Sequence, residues 1–327
     1  MRRKNPIMGI FRFCILLILV LVMLYSGLRI LESTVLLEDQ ETQQMMHQKT
    51  IIRNGREYFP RQDITVMMIL GIDKDGPAES SKYYRNDGAA DSVLLLILDD
   101  TNKSCSVLCL NRDTMLYNDM MGVNGEYGGT EYGQLAISHT YGTGMEDSCE
   151  NVKNTLMNNI HGLNIDYYVS MRMDALPILN DAVGGVTVNV VDDFSLVDPS
   201  LSKGEVTLRG DQVLTFVRSR KNVGDQKNLT RMERQKTYVS GFFQALKLKK
   251  QENTDFIVNV YEEVAPYLVT DCSVNTLSTL LDKYLEYPLR EVVIPQGENV
   301  LNDGHYEFYP DEEKLDELIV RLFYAPK

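Results

Sequence analysis

Residues 64–113 read ITVMMILGIDKDGPAESSKYYRNDGAADSVLLLILDDTNKSCSVLCLNRD, and three apolar runs within them decide the fold. Ile64–Leu70 is stopped by Gly71, Ser92–Asp100 is the second run, and Ser104–Leu110 is the third. Short continuous apolar runs of this kind predict buried strands. The polar turn Asp100–Lys103 is tight enough to make the second and third runs antiparallel neighbours. If the first run is also antiparallel to the second, then Asp73, Asp91, Arg112 and Asp113 meet at one edge of the sheet. Three carboxylates and a guanidinium suit a hard divalent cation bridging phosphate oxygens, with Arg112 offsetting the remaining charge. Taken singly, each of these residues would serve equally well as a turn cap or half of a surface pair. The intervening GPAESSKYYRNDGAA (76–90) is expected to act as a lid.

Downstream, a Gly-rich loop (Val123–Gly133) precedes a helix opened by Asp147 and Glu150, with Val152, Leu156 and Ile160 at four-residue spacing. A strand is predicted over Asp166–Arg172, a helix over Asp174–Val183 stopped by Gly184 and Gly185, and a strand over Val186–Val191. A longer helix spans Leu229–Lys247, with Met232, Val239, Phe242, Phe243 and Leu246 as its core stripe. Helices near Asn253–Ala265 and Val274–Tyr284, a strand REVVIP and a helix Glu312–Phe323 complete the pattern. Strands alternating with helices predict an α/β sandwich.

The N-terminus has a different composition. FCILLILVLVMLYSGL (Phe13–Leu28) is uncharged, follows Arg2, Arg3, Lys4 and Arg12, and lacks a small-x-small cleavage pair after it. It predicts one retained transmembrane helix rather than a cleaved signal. Cations before it and acids after it (Glu32, Glu38, Asp39) put the N-terminus in the cytoplasm and the domain outside the cell membrane. The expected organisation is a cytoplasmic tail 1–12, an anchor 13–31, a stalk 32–62 (polar, or a continuing helix) and an extracytoplasmic domain 63–327.

A net charge of −13 over 327 residues excludes bulk electrostatic attraction to nucleic acid, so a phosphate ligand must meet a local cationic cluster. Cys105, Cys109, Cys149 and Cys272 show no metal spacing, and Cys105 and Cys109 share a strand face as small buried hydrophobes. A disulfide to Cys149 stays open. His47, His139, His161 and His305 are scattered, without a Ser-His-Asp pattern, and His139 reads as a surface loop residue. The cationic cluster begins at FVRSRK, where extended backbone would put Arg218 and Arg220 on one face. Asp225 follows, then Arg231, Arg234, Gln235 and Tyr238 at i, i+3, i+4, i+7. Planar guanidinium forks match phosphate oxygens bidentately, which predicts a pyrophosphate cradle; a solvated helix face is the competing reading.

The ordered set ILGID, ADSVLLLILD, LNRDTM, IDYYV, DAVGGVTVNV, GDQVLTFVRSRK and R-M-E-R-Q resembles the LytR-CpsA-Psr family over residues 63–327. That resemblance implies a three-layer α/β/α sandwich around a central mixed sheet, with a hydrophobic channel for a polyprenyl tail. It also implies a phosphotransferase that moves a phosphate-linked glycopolymer, of teichoic acid or capsular polysaccharide type, from a polyprenyl-pyrophosphate carrier to peptidoglycan. By position, Asp73 and Asp91 resemble the acids that hold Mg2+ (or Mn2+), with Asp73, Asp91 and Arg112 catalytic. Arg112, Arg218, Arg220, Arg231 and Arg234 resemble the phosphate-binding arginines, with Gln235 and Asp225 orienting them. The partners implied are the lipid-linked glycan, peptidoglycan and membrane lipid. Two positions depart from the pattern: Ala89 and Gln134 stand where many relatives carry Arg and Lys, with Arg85 nearby to replace the lost charge. A non-catalytic scaffold or regulator that binds the lipid pyrophosphate is the alternative.

Overall fold

The computed structural model describes residues 50–161, 163–253 and 255–327. The expected tail, the anchor and the stalk as far as residue 49 lie outside the described residues. Among the described residues no helix is long and apolar enough to cross a membrane.

The described residues form two compact units: 50–60 with Pro326–Lys327, and Arg61–Ala325. In the first, β1 (Ile51–Arg53) and β2 (Arg56–Pro60) pair antiparallel, with Asn54 and Gly55 at positive φ in the turn. The end of the expected stalk is therefore strand, because Asn-Gly is the residue pair a two-residue hairpin turn requires.

The second unit runs β3 (Ile64–Ile72), β4 (Ala90–Asp99), β5 (Ser104–Leu110), β6 (Met115–Met121), β7 (Tyr127–Gln134), α1 (Glu146–Asn159) and β8 (Tyr167–Arg172). It continues with α2 (Ala175–Ala182), β9 (Val186–Val190), β10 (Gly204–Leu208), α3 (Gln212–Arg218), α4 (Asn228–Glu252) and α5 (Phe256–Val264). Then come β11 (Leu268–Thr270), α6 (Val274–Tyr284), β12 (Leu289–Val293), β13 (Gly297–Asn302), β14 (His305–Pro310), α7 (Glu312–Phe323) and β15 (Tyr324–Pro326).

The central sheet is mixed, in the order β11-β8-β3-β4-β5-β12. Strands β3, β4 and β5 are consecutive antiparallel neighbours, as their apolar runs and short turn predict, whereas β8 joins β3 and β12 joins β5 in parallel. Met232 of α4 packs on one sheet face against Leu94, Val107, Cys109 and Val292. Tyr168 and Ser170 point to the opposite face by strand alternation, where Ser170 bonds Cys149 of α1. All four described cysteines are free and buried, and burial pushes the Cys105, Cys109 and Cys149 thiols up to about 12. Cys105 and Cys109 are small core residues, as expected, Cys149 and Cys272 are buried likewise, and no disulfide joins the four.

The Gly-rich stretch expected as a loop is instead the hairpin β6–β7, Met115 opposite Gln134 and Tyr117 opposite Tyr132. The hairpin β13–β14 and the strand β10 likewise went unanticipated. Gly185, at φ 85°, closes the turn from α2 into β9, where a Cβ would lie 2.7 Å from the Leu208 carbonyl oxygen. This explains the double glycine at that helix end.

Candidate functional site

Antiparallel pairing brings the strand ends together as their spacing predicts. Ile72 lies opposite Ala90, Val93 lies opposite Leu110, and the Asp73 N–H donates to the Ala89 carbonyl at 3.0 Å. Asp91 pairs with Arg112 through one oxygen and with Arg231 Nη1 at 3.3 Å through the other. Asp73 pairs with Arg218 Nη2 at 2.5 Å, and Asp113 Oδ1 lies 3.3 Å from Arg112 Nε. The cluster has a floor and a rim: side-chain exposure is 3% at Arg231 and 13% at Asp91, against 41% at Arg218 and 43% at Asp73.

Its electrostatics favour a further anion. Burial, then the nearby Arg220 and Arg112 guanidinium groups, pull Arg231 down to about 9. Burial chiefly lowers Arg112, and Arg220 adds to the effect. Burial also pushes Asp113 up, toward the form that carries no negative charge. Arg220 itself has no carboxylate within ion-pair distance among the described residues. Arg112, Arg220 and Arg231 repel one another and gain most from a multivalent anion, which removes the repulsion and supplies acceptors for their N–H forks.

The local backbone differs from expectation in ways that sort the arginines. FVRSRK is helical as far as Arg218, which closes α3, whose Val213, Phe216 and Val217 bury one helical face; Ser219 then turns to extended backbone. Arg234 faces the protein rather than the cluster. Its Nε donates to the Phe216 carbonyl at 2.9 Å, Nη1 to Asp192 at 2.5 Å and Nη2 to the Ser219 carbonyl, with Phe194 beneath it. Three residues beyond Arg231 on a helix is a rotation of about 300°, which swings it onto the end of α3, where it satisfies orphan carbonyls. Gln235, one position further, stays beside Arg231 and donates to the Val217 carbonyl at 3.3 Å. Asp225 accepts from Thr230 Oγ1 at 2.5 Å and from the Lys227 N–H at 3.0 Å, so it braces the start of α4 and orients no arginine directly.

Arg85 lies 4.3 Å over the Tyr141 ring, where it meets Tyr141 rather than the arginine cluster. Gln134 Nε2 reaches Asp113 Oδ1 at 3.3 Å and the Tyr306 carbonyl at 2.6 Å. The expected lid is fastened along its length: Gly76 N–H to Asp174 at 2.6 Å, Ala78 N–H to the Pro266 carbonyl at 2.7 Å, Ser81 N–H to the Thr143 carbonyl at 2.7 Å. Arg172 was not anticipated. It ends β8 beside Ile72, is 7% exposed, and donates from Nη2 to the Glu79 carbonyl at 3.2 Å. Only the parallel pairing of β8 with β3, which no local pattern announces, brings it there.

Beside the cluster lies a cavity of ≈ 340 Å³ whose walls include Ile69, Leu94, Val239, Phe242, Phe243 and Leu246. Of the expected core stripe of α4, Met232 packs on the sheet while Val239, Phe242, Phe243 and Leu246 also line this open space. The charged residues on its wall are Asp91, Arg172, Arg218 and Arg231.

Asp73 and Asp91 offer hard oxygen donors at neighbouring strand ends, yet among the described residues no group of three or more Asp, Glu, His or Cys could hold a metal ion. Two protein carboxylates with water and phosphate oxygens completing the shell is the donor set that Mg2+ usually takes.

His139 is buried, contrary to its surface reading: Nδ1 lies 2.7 Å from the Gly88 carbonyl and Nε2 has no partner among the described residues. Burial pulls it down to about 4 from an ordinary 6.5. As pH falls through that window the unfolded chain binds the proton first, so stability is lost at up to about 1.4 kcal/mol per pH unit. Urea midpoints at pH 7 and pH 5 are expected to show this loss, and His139→Gln is expected to remove most of the difference.

An apolar cavity thus meets a buried cluster of arginines and carboxylates at the strand ends of an α/β fold. The profile of the LytR_cpsA_psr family matches residues 31–323, and the chain belongs to that family. Among curated proteins it is similar to the polyisoprenyl-teichoic acid–peptidoglycan teichoic acid transferase TagU of Bacillus licheniformis, 24% identical over 265 residues, covering 78% of this chain and 76% of that one. TagU of Bacillus anthracis is 26% identical over 271 residues, 80% of each chain. Among solved structures, TagT bound to LI-WTA superposes with a TM-score of 0.60 at 21% identity, covering 80% of this chain and 90% of that one. TagV of B. subtilis gives 0.60 at 22% identity, covering 80% and 96%.

Proposed function

We propose that this protein is a phosphotransferase that moves a phosphate-linked glycopolymer from a polyprenyl-pyrophosphate carrier to peptidoglycan. The observation that carries the reading is the continuity of the apolar cavity with the arginine cluster, since a polyprenyl pyrophosphate joins a hydrocarbon tail to a multivalent anion. The names of the TagU relatives support the donor and acceptor classes.

On this reading the tail lies along Phe242, Phe243 and Leu246, and the pyrophosphate sits among Arg112, Arg218, Arg220 and Arg231. Asp91 fixes Arg112 and Arg231 in place before the donor arrives, so little reorganisation is needed when charge moves. A peptidoglycan hydroxyl attacks the glycan-linked phosphorus, the bond from that phosphorus to the bridging oxygen breaks, and polyprenyl phosphate departs with the electron pair. The hydroxyl proton passes to Asp73 at the rim. Bound Mg2+ or Mn2+, held by Asp73 and Asp91, would offset charge on the phosphate oxygens. The single-pass anchor and extracytoplasmic site belong to the same proposal, because carrier and wall both lie at the outer membrane surface.

Transfer by the full chain from a synthetic polyprenyl-pyrophosphate oligosaccharide to peptidoglycan, with Mg2+ present, tests it. Wall-attached glycan that disappears in Arg112→Ala is the expected result. Tight donor binding with no transfer over several glycans would sink the enzyme and leave the scaffold alternative.

A further inference from the structure

The hairpin β6–β7 carries a face that the chemistry above leaves unused. Tyr117 and Tyr132 stand opposite one another with ring centroids 5.0 Å apart and planes inclined by 53°, and they are 61% and 47% exposed. Alternation puts Asp119 and Thr130 on the same face nearer the tip, Thr130 Oγ1 donating to Asp119 at 3.1 Å. Two residues the other way along β7 is Gln134, which reaches Asp113 beside the arginine cluster. The face therefore starts at the reactive end of the sheet and runs outward for roughly 13 Å at strand rise.

The hairpin β13–β14 lies beside β6, and its Tyr306 carbonyl accepts from Gln134 at 2.6 Å. The Phe308 N–H donates to the Asp113 carbonyl at 2.8 Å, and Tyr309, 38% exposed, donates its hydroxyl to Glu307 at 2.7 Å. Burial raises Tyr132, with Tyr117 and Glu307 adding to it, and Tyr309 is raised chiefly by its bond to Glu307, with Tyr132 adding last.

Rings exposed in a row mark an interaction surface, and tyrosine offers rigid apolar area with a polar tip. Asp119 and Glu307 put two carboxylates beside the rings. That combination repels a phosphate-rich polymer and suits an uncharged glycan, whose C–H faces stack on rings while its hydroxyl and amide groups meet the acids.

We infer that Tyr117, Tyr132 and Tyr309 form a platform for the acceptor, an N-acetylated glycan chain, delivering one hydroxyl past Gln134 to the strand ends. The inference rests on the transfer reading for its direction. Its test is binding of N-acetylglucosamine hexamers and of insoluble peptidoglycan to the full chain, beside binding of farnesyl pyrophosphate. Tyr117→Ser with Tyr132→Ser is expected to weaken glycan binding about tenfold or more, leaving farnesyl pyrophosphate affinity unchanged. Tyr117→Phe with Tyr132→Phe keeps the rings and is expected to keep most of the glycan affinity. Glycan binding unchanged in the serine pair, or none by the unaltered chain, overturns the platform. Glycan binding by a chain that ignores farnesyl pyrophosphate overturns the donor reading instead and leaves the platform standing.

Discussion

Asp91→Ala is expected to lower transfer by about 10³-fold and to destabilise the protein at the same time. Asp91 is the shared counter-ion of Arg112 and Arg231, which are 17% and 3% exposed. Removing it leaves two desolvated guanidinium groups facing each other, and breaking a buried pair in this way costs about 3 kcal/mol or more. For a domain of this size that is a fall in Tm of roughly 6 to 10 °C. Inorganic pyrophosphate should recover part of the loss in the variant, since it replaces the missing negative charge. Calorimetric scans with and without pyrophosphate check this, and an unchanged Tm in Asp91→Ala would show that the carboxylate does not hold the arginines.

Arg218→Ala combined with Arg220→Ala is expected to give the opposite signature. Charge-assisted hydrogen bonds contribute about 1.5–3 kcal/mol each, so losing two guanidinium groups weakens donor binding by roughly 10² to 10⁴-fold. Stability changes little, because Arg218 is 41% exposed and exposed ion pairs such as its bond to Asp73 contribute only about 0–1 kcal/mol. Titration with farnesyl pyrophosphate beside a thermal scan separates the two effects. A large drop in Tm with binding retained would place these arginines in the scaffold instead.

The contrast between the two variants shows how far a sequence discloses a site. The floor of the cluster was legible because it depends on strand ends: continuous apolar runs marked β3, β4 and β5, and one short turn set their pairing. The helices Val274–Tyr284 and Glu312–Phe323 also fall at the bounds their patterns predict, the second with Asp311 capping its start. Arg234 was misassigned for a physical reason, since its fate depends on Asp192, 42 residues away, and on the end of α3. The alternation of Arg218 and Arg220 in FVRSRK suggests extended backbone, whereas the helical spacing of Val213, Phe216 and Val217 determines it as far as Arg218. The glycines of YGGTEYGQ suggested a loop, yet cross-strand pairing of Tyr117 with Tyr132 made a ribbon. Nothing in the residue types of α4 distinguished a wall from a core.

That last ambiguity has a consequence for how the chain evolves. Phe242, Phe243 and Leu246 leave ≈ 340 Å³ open where tight packing would add stability. If the carrier's hydrocarbon fills that space, the substrate serves as a detachable piece of the hydrophobic interior. Larger side chains along α4 would then make a sturdier protein and a poorer transferase, so selection for turnover holds thermal robustness in check.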